Sequence, residues 1–292
     1  MTVLRGCAAL FLWFSAAAAL HAQSDGRPEI VEQEPVAGQV HMLSGGGGAN
    51  VSVLVGNGRA LLVDSKGPAV TDQIVAIVEA LSGGNVAYLI NGHVHPDHTD
   101  GNANFGERGA IIVAHVQVRE ILAAGQRGGP PAPRAAWPVL TFPDGGGLTL
   151  HFDGEPVHIS HAPPAHSHDN SIVYFERSNV LHLGDLYSPS RYPVIAGGTI
   201  DGFIAAADIA LELADDDTRI VPGIGAVGDR QALSAYRDML ITVRDRVAQA
   251  IAEGASLESA IASQPTRGYD AVWGAPDHRL FLPVIYEQLS GR

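Results

Sequence analysis

The stretch His93-Val94-His95-Pro96-Asp97-His98 directly follows an apolar run, Val86–Ile90, that predicts a buried strand. Residues two apart in an extended chain point to the same side, so the first two histidines face one way. The proline ends the strand and turns the chain, which lets the aspartate and the third histidine approach the same point from another direction. Imidazole and carboxylate groups together are ligands of zinc, manganese and iron. The stretch therefore predicts a metal site at the end of a strand.

Two later groups of polar residues also lie beside predicted strands. One is His161-Ala162-Pro163-Pro164-Ala165-His166-Ser167-His168-Asp169, just before the apolar run Ile172–Phe175. The other is His182-Leu183-Gly184-Asp185, at the end of the apolar run Val180–Leu183. Strand ends are where α/β folds build their sites. The first histidine of each group is interpreted as a supporting residue, because metal-bound histidines need hydrogen-bond partners.

The composition limits the classes of partner and of metal site. The chain has 292 residues and is 46% hydrophobic, enough to bury the core of a single α/β or α+β domain. It carries 31 acidic and 18 basic residues, a formal charge of −13. An acidic surface repels phosphate backbones, so we expect no nucleic-acid partner. Cys7 is the single cysteine, which excludes a disulfide framework and a thiolate-rich metal site.

The N-terminus has the pattern of an export signal. Arg5 precedes an apolar run, Cys7–Leu20, and Ala22 offers a small residue for cleavage. This pattern predicts a secretory signal peptide over residues 1–22. The apolar run is short for a membrane anchor, which needs about 20 apolar residues. We therefore expect a mature protein secreted to the bacterial periplasm, without stable membrane insertion after cleavage.

Together these motifs resemble the metallo-β-lactamase superfamily in their order and spacing. The resemblance rests on the His-x-His-x-Asp-His stretch, then His166, then Gly184-Asp185, with Asp64 as a supporting carboxylate at the end of an earlier strand. It implies an α/β (α+β) fold, a four-layer αββα sandwich with a metal site along one edge. The domain would span residues 39–292, including C-terminal helices, after an extended leader over residues 23–38.

The resemblance also implies a set of metal ligands. A first metal is bound by three histidines, a second by an aspartate and a histidine, and one further aspartate bridges the two. In that order, the implied ligands are His93, His95 and His166, then Asp97 and His98, and then Asp185. The family supplies one more histidine from a Pro-Gly-His-Gly turn, which reads Pro222-Gly223-Ile224-Gly225 here. Isoleucine cannot bind a metal, so the second set keeps three ligands at most.

Ile224 leaves three outcomes open. They are one tightly bound zinc ion with activity, two metals of which the second is weak, and a degenerate relative without turnover. A catalytic zinc ion commonly has three protein ligands and a water, so the first set suffices for catalysis. His168 and His278 are candidates to replace the missing ligand, but both are interpreted first as surface or supporting residues.

The predicted function is that of an exported zinc-dependent hydrolase. It would attack an ester, lactone, thioester or lactam carbonyl of a small molecule with a metal-bound hydroxide, and Asp97 would act as the catalytic base. Neither β-lactamase ligand set of the family is present, because Asp185 stands where one has cysteine and Thr99 where the other has histidine. The alternative is a degenerate, non-catalytic metal- or ligand-binding protein. A di-iron redox protein would need the complete second set, and the oligomeric state stays open.

Three segments are candidates to shape the substrate site. Ser44–Gly48 is glycine-rich and is interpreted as a flap beside the active-site edge. Gly129–Pro138 is rich in glycine and proline and is interpreted as another wall. Tyr187, Arg191 and Tyr192 closely follow the last implied ligand, and are candidates for substrate contact or for ordinary loop packing.

Overall fold

The computed structural model describes residues 30–277 and 279–291. The predicted signal peptide, residues 1–22, and the first part of the predicted leader lie outside these ranges. Within them, two β-sheets pack face to face, and helices cover both outer faces. The predicted four-layer αββα sandwich is therefore confirmed.

The first sheet follows the order of the chain. Its strands are β1 Val31–Ala37, β2 Val40–Gly45, β3 Val51–Val55, β4 Arg59–Val63, β5 Asn85–Ile90, β6 Ile111–His115 and β7 Leu140–Phe142. Strands β1 to β4 pair antiparallel, and β4 to β7 pair parallel. Parallel neighbours need crossover connections, which are usually helical. These are α1 Thr71–Ser82, α2 Pro96–Thr99, α3 Asn102–Glu107 and α4 Val116–Ala124.

The second sheet uses the second half of the chain. Its strands are β8 Gly147–Phe152, β9 Glu155–His161, β10 Ser171–Phe175, β11 Val180–Gly184, β12 Arg219–Pro222 and β13 Gly228–Asp229. Among them β11 and β12 pair parallel, and their crossover contains α5 Ile200–Leu213. The later helices are α6 Arg230–Ala252, α7 Leu257–Ala262, α8 Asp270–Trp273 and α9 Leu282–Ser290. Among the described residues, no helix combines the length and apolarity needed to cross a bilayer.

Alternating side chains along the strands build separate hydrophobic layers. In β4, Leu61 and Val63 pack between the sheets, whereas Ala60 and Leu62 pack under α1. A strand that is buried on both faces reads as a continuous apolar run, as β4 does. Full burial of a leucine or valine side chain stabilises the fold by about 1.5–3 kcal/mol. The sandwich is therefore a rigid frame for the loops at its edges.

Residues 31–37, which lie within the predicted extended leader, form the edge strand β1. This strand pairs with β2, with Val31 opposite Gly45 and Ala37 opposite Val40. Val31 is buried against α1, while the residues that follow it are exposed. A polar strand at a sheet edge carries few apolar residues, so its sequence resembles that of a linker. The folded domain therefore begins before residue 39.

Candidate metal centre

The predicted ligands meet at one edge of the sandwich, on segments that follow strands of both sheets. The loop after β5 carries the first two histidines, and α2, which begins at Pro96, carries the next two ligands. Proline is favoured at the first turn of a helix, which explains the sharp change of direction. His166 lies in the loop between β9 and β10, and Asp185 directly follows β11.

Three imidazoles form a first group of potential ligands. Nδ1 of His95 lies 2.9 Å from Nε2 of His93 and 2.8 Å from Nε2 of His166. Burial, together with the neighbouring imidazoles, lowers the pKa of His93 well below its usual value. Burial and the same kind of neighbours lower the pKa of His95 to about 4. Neutral imidazoles offer lone pairs, so this group can hold a metal ion.

A second group consists of His93, His98 and Asp185. Nε2 of His98 lies 3.6 Å from Oδ1 of Asp185 and 3.7 Å from Oδ2 of Asp97. Both distances exceed a hydrogen bond, and within the part of the chain that the structure describes this buried nitrogen has no partner. A buried polar atom without a partner costs free energy. A cation between the imidazole and the carboxylates would satisfy it, so these residues fit a metal ion.

Asp185 lies between the two groups. Its Oδ2 is 3.4 Å from Nε2 of His166, while its other oxygen faces His98. Burial would raise the pKa of Asp185, but the surrounding imidazoles, His98 first, outweigh burial and hold the pKa well below its usual value. On the opposite side of the imidazole ring, Nδ1 of His166 donates to the carbonyl oxygen of Val194 at 2.7 Å. A carbonyl at Nδ1 orients the ring so that Nε2 faces the centre.

Asp64 supports the centre from behind. Its Oδ1 accepts from the backbone N–H of Gly92 at 2.7 Å, and its Oδ2 lies 2.7 Å from Nδ1 of His98. Burial would raise the pKa of Asp64, but His98 and His182 outweigh it and lower the pKa below its usual value. In return, although burial would lower the pKa of His98, the two aspartates Asp64 and Asp185 hold it well above the usual value. In the metal-free protein, the two aspartates therefore favour the protonated form of His98.

His182 takes the supporting position that the sequence predicts for it. It is fully buried, with Nε2 3.3 Å from Oδ2 of Asp64 and Nδ1 2.8 Å from Oγ of Ser52. Ser52 lies on β3 of the first sheet, and His182 lies on β11 of the second. The contact therefore links the two sheets directly beneath the metal centre.

The turn that carries Ile224 keeps its place beside the centre but offers no ligand. Asn50 donates its side-chain amide to the carbonyls of Pro222 and Gly225, at 3.0 and 2.9 Å, and its backbone N–H to Gly223 at 2.6 Å. A Cβ on Gly223 would lie 2.0 Å from Oδ1 of Asp185, so only glycine allows this approach. Ile224 itself is 38% exposed and lines a small pocket with His166 and Asp185.

The glycine-rich loop lies against Asp97, as expected for a segment at the active-site edge. Gly45, Gly46, Gly47 and Gly48 all have positive φ angles, between 62° and 74°. A Cβ on Gly48 would lie 2.9 Å from the Cβ of Asp97. The fully buried Lys66 donates Nζ to the carbonyls of Gly45, at 2.9 Å, and Ala49, at 2.5 Å. The loop is thus tied in place at both ends.

Sequence reasoning missed Lys66 and Asn50, and neither carries a signal that could have revealed its role. Each bonds backbone carbonyls of a loop that is distant in sequence, and such bonds leave no mark in local residue types. Among the predicted substrate contacts, Tyr187 and Tyr192 are buried, and Tyr192 donates to Asp270 at 2.8 Å. All three residues nevertheless line the small pocket beside Ile224, the two tyrosines as buried walls and Arg191 with an exposed side chain.

Of the two candidate replacements for the missing histidine, the structure describes His168, which is not part of the centre. His168 is exposed, and its side chain belongs to none of the ligand groups found among the described residues. Its backbone carbonyl instead bonds Nε2 of His161 at 2.7 Å. His278 lies outside the described residues.

A separate group brings His115, Asp144 and His161 together. Both ring nitrogens of His161 are already hydrogen-bonded, Nδ1 to the backbone N–H of Gly145 at 2.9 Å and Nε2 to His168. The rings of His115 and His161 also stack, with centroids 4.2 Å apart and planes 14° apart. The in-plane lone pairs of stacked rings do not converge on one point. This group is therefore interpreted as packing between strand ends.

Comparison with known proteins agrees with the fold. The family described as "Metallo-beta-lactamase superfamily" matches residues 44–248. Among solved structures, a metallo-beta-lactamase from Pontibacter korlensis is 17% identical, with a TM-score of 0.62 over 73% of this chain and 99% of the other. One from Hirschia baltica is 20% identical, with a TM-score of 0.60 over 72% and 97%.

A third similar structure is FIM-1 from Pseudomonas aeruginosa in its mono-zinc form. It is 17% identical, with a TM-score of 0.62 over 74% of this chain and 97% of the other. At these identities the neighbours establish the fold alone, and a comparison with curated proteins found no match. The family match, by contrast, spans most of the chain and includes every predicted ligand. The chain therefore belongs to the metallo-beta-lactamase superfamily.

Proposed function

We propose that the protein is a zinc-dependent hydrolase that acts on an ester, lactone, thioester or lactam carbonyl. The observation that carries this proposal is the convergence of imidazole nitrogens at His95, 2.9 Å from His93 and 2.8 Å from His166. Three histidines are a known ligand set for catalytic zinc. A bound zinc ion supplies Lewis acidity, which acidifies water and polarises a carbonyl group.

Asp97 is the proposed general base. Its side chain is 40% exposed and lies beside His98, so a water near the ligands can reach the carboxylate. A carboxylate at that position orients the attacking water and takes its proton. Gly48 packs against the Cβ of Asp97, and this contact restricts where the carboxylate can move. Positioning of this kind contributes to catalysis because the base is held near its target before the reaction begins.

The second ligand group is proposed to hold a further ion only weakly. His98 and Asp185 are in place, but Ile224 offers no donor atom where the family has a histidine. An apolar side chain beside the centre removes a ligand and adds none. One tightly bound ion per chain is therefore the proposed resting state, and Asp185, whose Oδ2 lies 3.4 Å from Nε2 of His166, would help to hold it.

The substrate is proposed to be a small molecule, because the fold family acts on such substrates. Export to the bacterial periplasm is proposed from the sequence of residues 1–22 alone. A periplasmic location suits lactams and lactones better than thioesters made in the cytosol. The ligand set differs from the β-lactamase sets, so lactams are one substrate class among the four.

A non-catalytic binding protein is the second candidate. Ile224 favours it, because losing a ligand is how a catalytic site of this kind would decay. The intact first group and the accessible Asp97 favour catalysis instead. The two candidates differ in turnover and not in metal binding, so both must be measured.

The test combines metal content with a substrate screen. The mature protein, residues 23–292, is dialysed, and its zinc is counted by elemental mass spectrometry. It is then assayed with phenyl acetate, a γ-lactone, an acyl thioester and a chromogenic β-lactam. We expect about one zinc per chain and turnover of at least one class, lost on chelation and restored by zinc.

Two results would contradict the proposal in different ways. Zinc binding without turnover of any class would favour the non-catalytic binding protein. Absence of zinc binding, even with zinc supplied in excess, would overturn both the mechanism and the metal site.

A further inference from the structure

A cavity of about 440 Å³ lies beside α2. Its walls come from the helices α2 and α3, the end of α4 and the loop over residues 125–137. The lining includes Pro96, Asp100, Ala103, Leu122, Gln126 and Pro131. This volume falls in the range of about 300–1,000 Å³ that is usual for small-molecule sites.

The cavity directly adjoins the metal centre through α2. Pro96, which lines it, stands in the chain between His95 and Asp97. Consecutive Cα atoms are about 3.8 Å apart. A ligand group that touches the Pro96 ring is therefore one residue away from His95 and from Asp97. The cavity and the metal centre therefore have Pro96 as a common neighbour.

The loop that forms the outer wall is fixed to the rest of the domain. The side chain of Gln126 donates to the carbonyl of Val94 at 3.0 Å, and the backbone N–H of Ala132 donates to Leu122 at 2.9 Å. Nε1 of Trp137 donates to the carbonyl of Ala132 at 2.9 Å. A cavity with walls held by such bonds is formed before any ligand arrives, which lowers the entropy cost of binding.

The polar groups of the lining are unequally available to a ligand. Thr99 Oγ1 already bonds the carbonyls of Val94 and His95, at 2.9 and 3.1 Å, and Gln126 bonds Val94. The carboxylate of Asp100 is exposed at the same cavity. Among the described lining residues, what remains is an apolar surface of proline, alanine and leucine with one anionic group, Asp100. Such a surface favours an apolar ring or chain that carries a cationic hydrogen-bond donor.

We propose that this cavity binds the variable side group of the substrate, and that it selects a compact apolar group bearing an amine over one bearing an acid. The identification of the ligand as a substrate rests on the proposed hydrolase function. Binding in the cavity itself needs neither metal nor turnover. Asp100 and the nearby Asp97 both oppose an anionic side group, and the chain as a whole carries a formal charge of −13.

The first experiment measures binding alone. Benzylamine and benzoate are titrated into the zinc-free mature protein, and the backbone amides are followed by heteronuclear NMR. We expect benzylamine to shift the amides of residues 99–103 and 126–136, with a Kd about three- to fivefold lower than that of benzoate, the effect of one partly exposed ion pair. Shifts elsewhere, or equal affinity for the two probes, would overturn the proposal.

Paired variants distinguish the cavity from the surrounding surface. Ala103→Leu fills the cavity and should weaken benzylamine binding at least about tenfold, because its extra carbons take the volume of the ring. Ala124→Leu adds the same carbons to an exposed position of α4 outside the lining, and should leave binding unchanged. Asp100→Asn should abolish the preference for the amine, and Glu107→Gln, on the neighbouring helix, should keep it.

The second experiment uses turnover. Phenyl 4-(aminomethyl)benzoate and phenyl 4-carboxybenzoate differ only in the charge of the side group. The zinc-loaded protein should favour the amine in kcat/KM, and Asp100→Asn should remove this preference without loss of bound zinc. If neither ester is hydrolysed while the amine still binds in the cavity, the ester activity fails and the binding site stands. Hydrolysis without any charge preference would overturn the proposed selectivity.

Discussion

The two ligand groups share one edge of the sandwich but differ in how complete they are. In the first, imidazole nitrogens approach within 2.8–2.9 Å and every member is a histidine. In the second, Nε2 of His98 stands 3.6 Å from Oδ1 of Asp185, and the turn that should add a histidine adds Ile224. Yet that turn still holds its position through Asn50 and Gly223. The backbone that places a ligand and the side chain that binds the metal are therefore separable features.

The largest effect is expected from replacing His95, whose Nδ1 lies close to the ring nitrogens of both other histidines of the first group. His95→Ala should abolish zinc binding and reduce turnover at least about a thousandfold, because the ion contributes several kcal/mol to catalysis. Elemental mass spectrometry and kcat/KM measure the two effects. His151→Ala, at an exposed histidine of β8, should change neither. Retention of turnover by the His95 variant would show that the first group is not the centre.

A smaller but still large effect, on the stability of the fold, is expected from replacing Asp64, which supports the metal centre from behind. Asp64→Asn removes the buried carboxylate that bonds His98 and leaves the imidazole beside an uncharged amide. Breaking a buried charged pair in this way costs about 3–5 kcal/mol. Chemical unfolding of the metal-free protein measures the free energy of unfolding. Asp153→Asn, at an exposed pair with Arg59, should cost about 1 kcal/mol or less.

Restoring a histidine at position 224 tests whether the second ligand group lacks only this one donor atom. Ile224→His should raise the zinc content from about one to about two per chain, because the turn already has its place beside Asp185. The affinity of the second ion should rise by more than the tenfold to hundredfold that an outer partner contributes. Competition with a chelator measures this affinity, and Ile224→Leu is the apolar control. An unchanged zinc content would mean that the turn no longer directs its side chain to the centre.

The smallest expected effect concerns pH. The pKa of His95 is about 4 in the folded, metal-free protein, below its usual value of 6.5, and burial is the first cause. Between these values the unfolded chain binds more protons, so the free energy of unfolding should fall as the pH falls from 6.5 to 4. After allowance for the partial exposure of His95, about 1 kcal/mol is expected.

Thermal unfolding of the chelated protein across this range measures the dependence on pH. His93, whose pKa is also lowered, adds to the effect in the same direction. His95→Gln should flatten the dependence without removing it. A stability that rises as the pH falls would show that these imidazoles are protonated in the folded chain.

Much of the fold could be predicted because apolar periodicity is a local property. The sequence predicts a strand over Val180–Leu183, and β11 spans Val180–Gly184. The central strands are continuous apolar runs and were equally readable. By contrast, β1 was missed because it is polar, and its pairing with β2 depends on hydrogen bonds that residue types do not encode. Edge strands are therefore the elements that such reasoning loses.

The candidate site could also be predicted only where its residues are close together in the sequence. His93, His95 and His98 share one short motif, and the sequence brings them together without knowledge of the fold. Adding His166 and Asp185 required the resemblance to a family. Lys66 and Asn50 could not be predicted, because each acts on the carbonyls of distant loops. The cavity beside α2 was anticipated only as a loop wall, because a volume is a property of the assembled elements.

The arrangement of the sheets has a consequence for how the molecule assembles. Strands β1 to β7 and β8 to β13 occupy separate sheets in chain order, so the boundary between them falls in the turn over residues 143–146. A cut there would give two fragments, each with one whole sheet. One fragment would carry His93, His95 and His98, and the other His166 and Asp185. Neither fragment alone contains the three-histidine group, so zinc retention would report that the halves have docked.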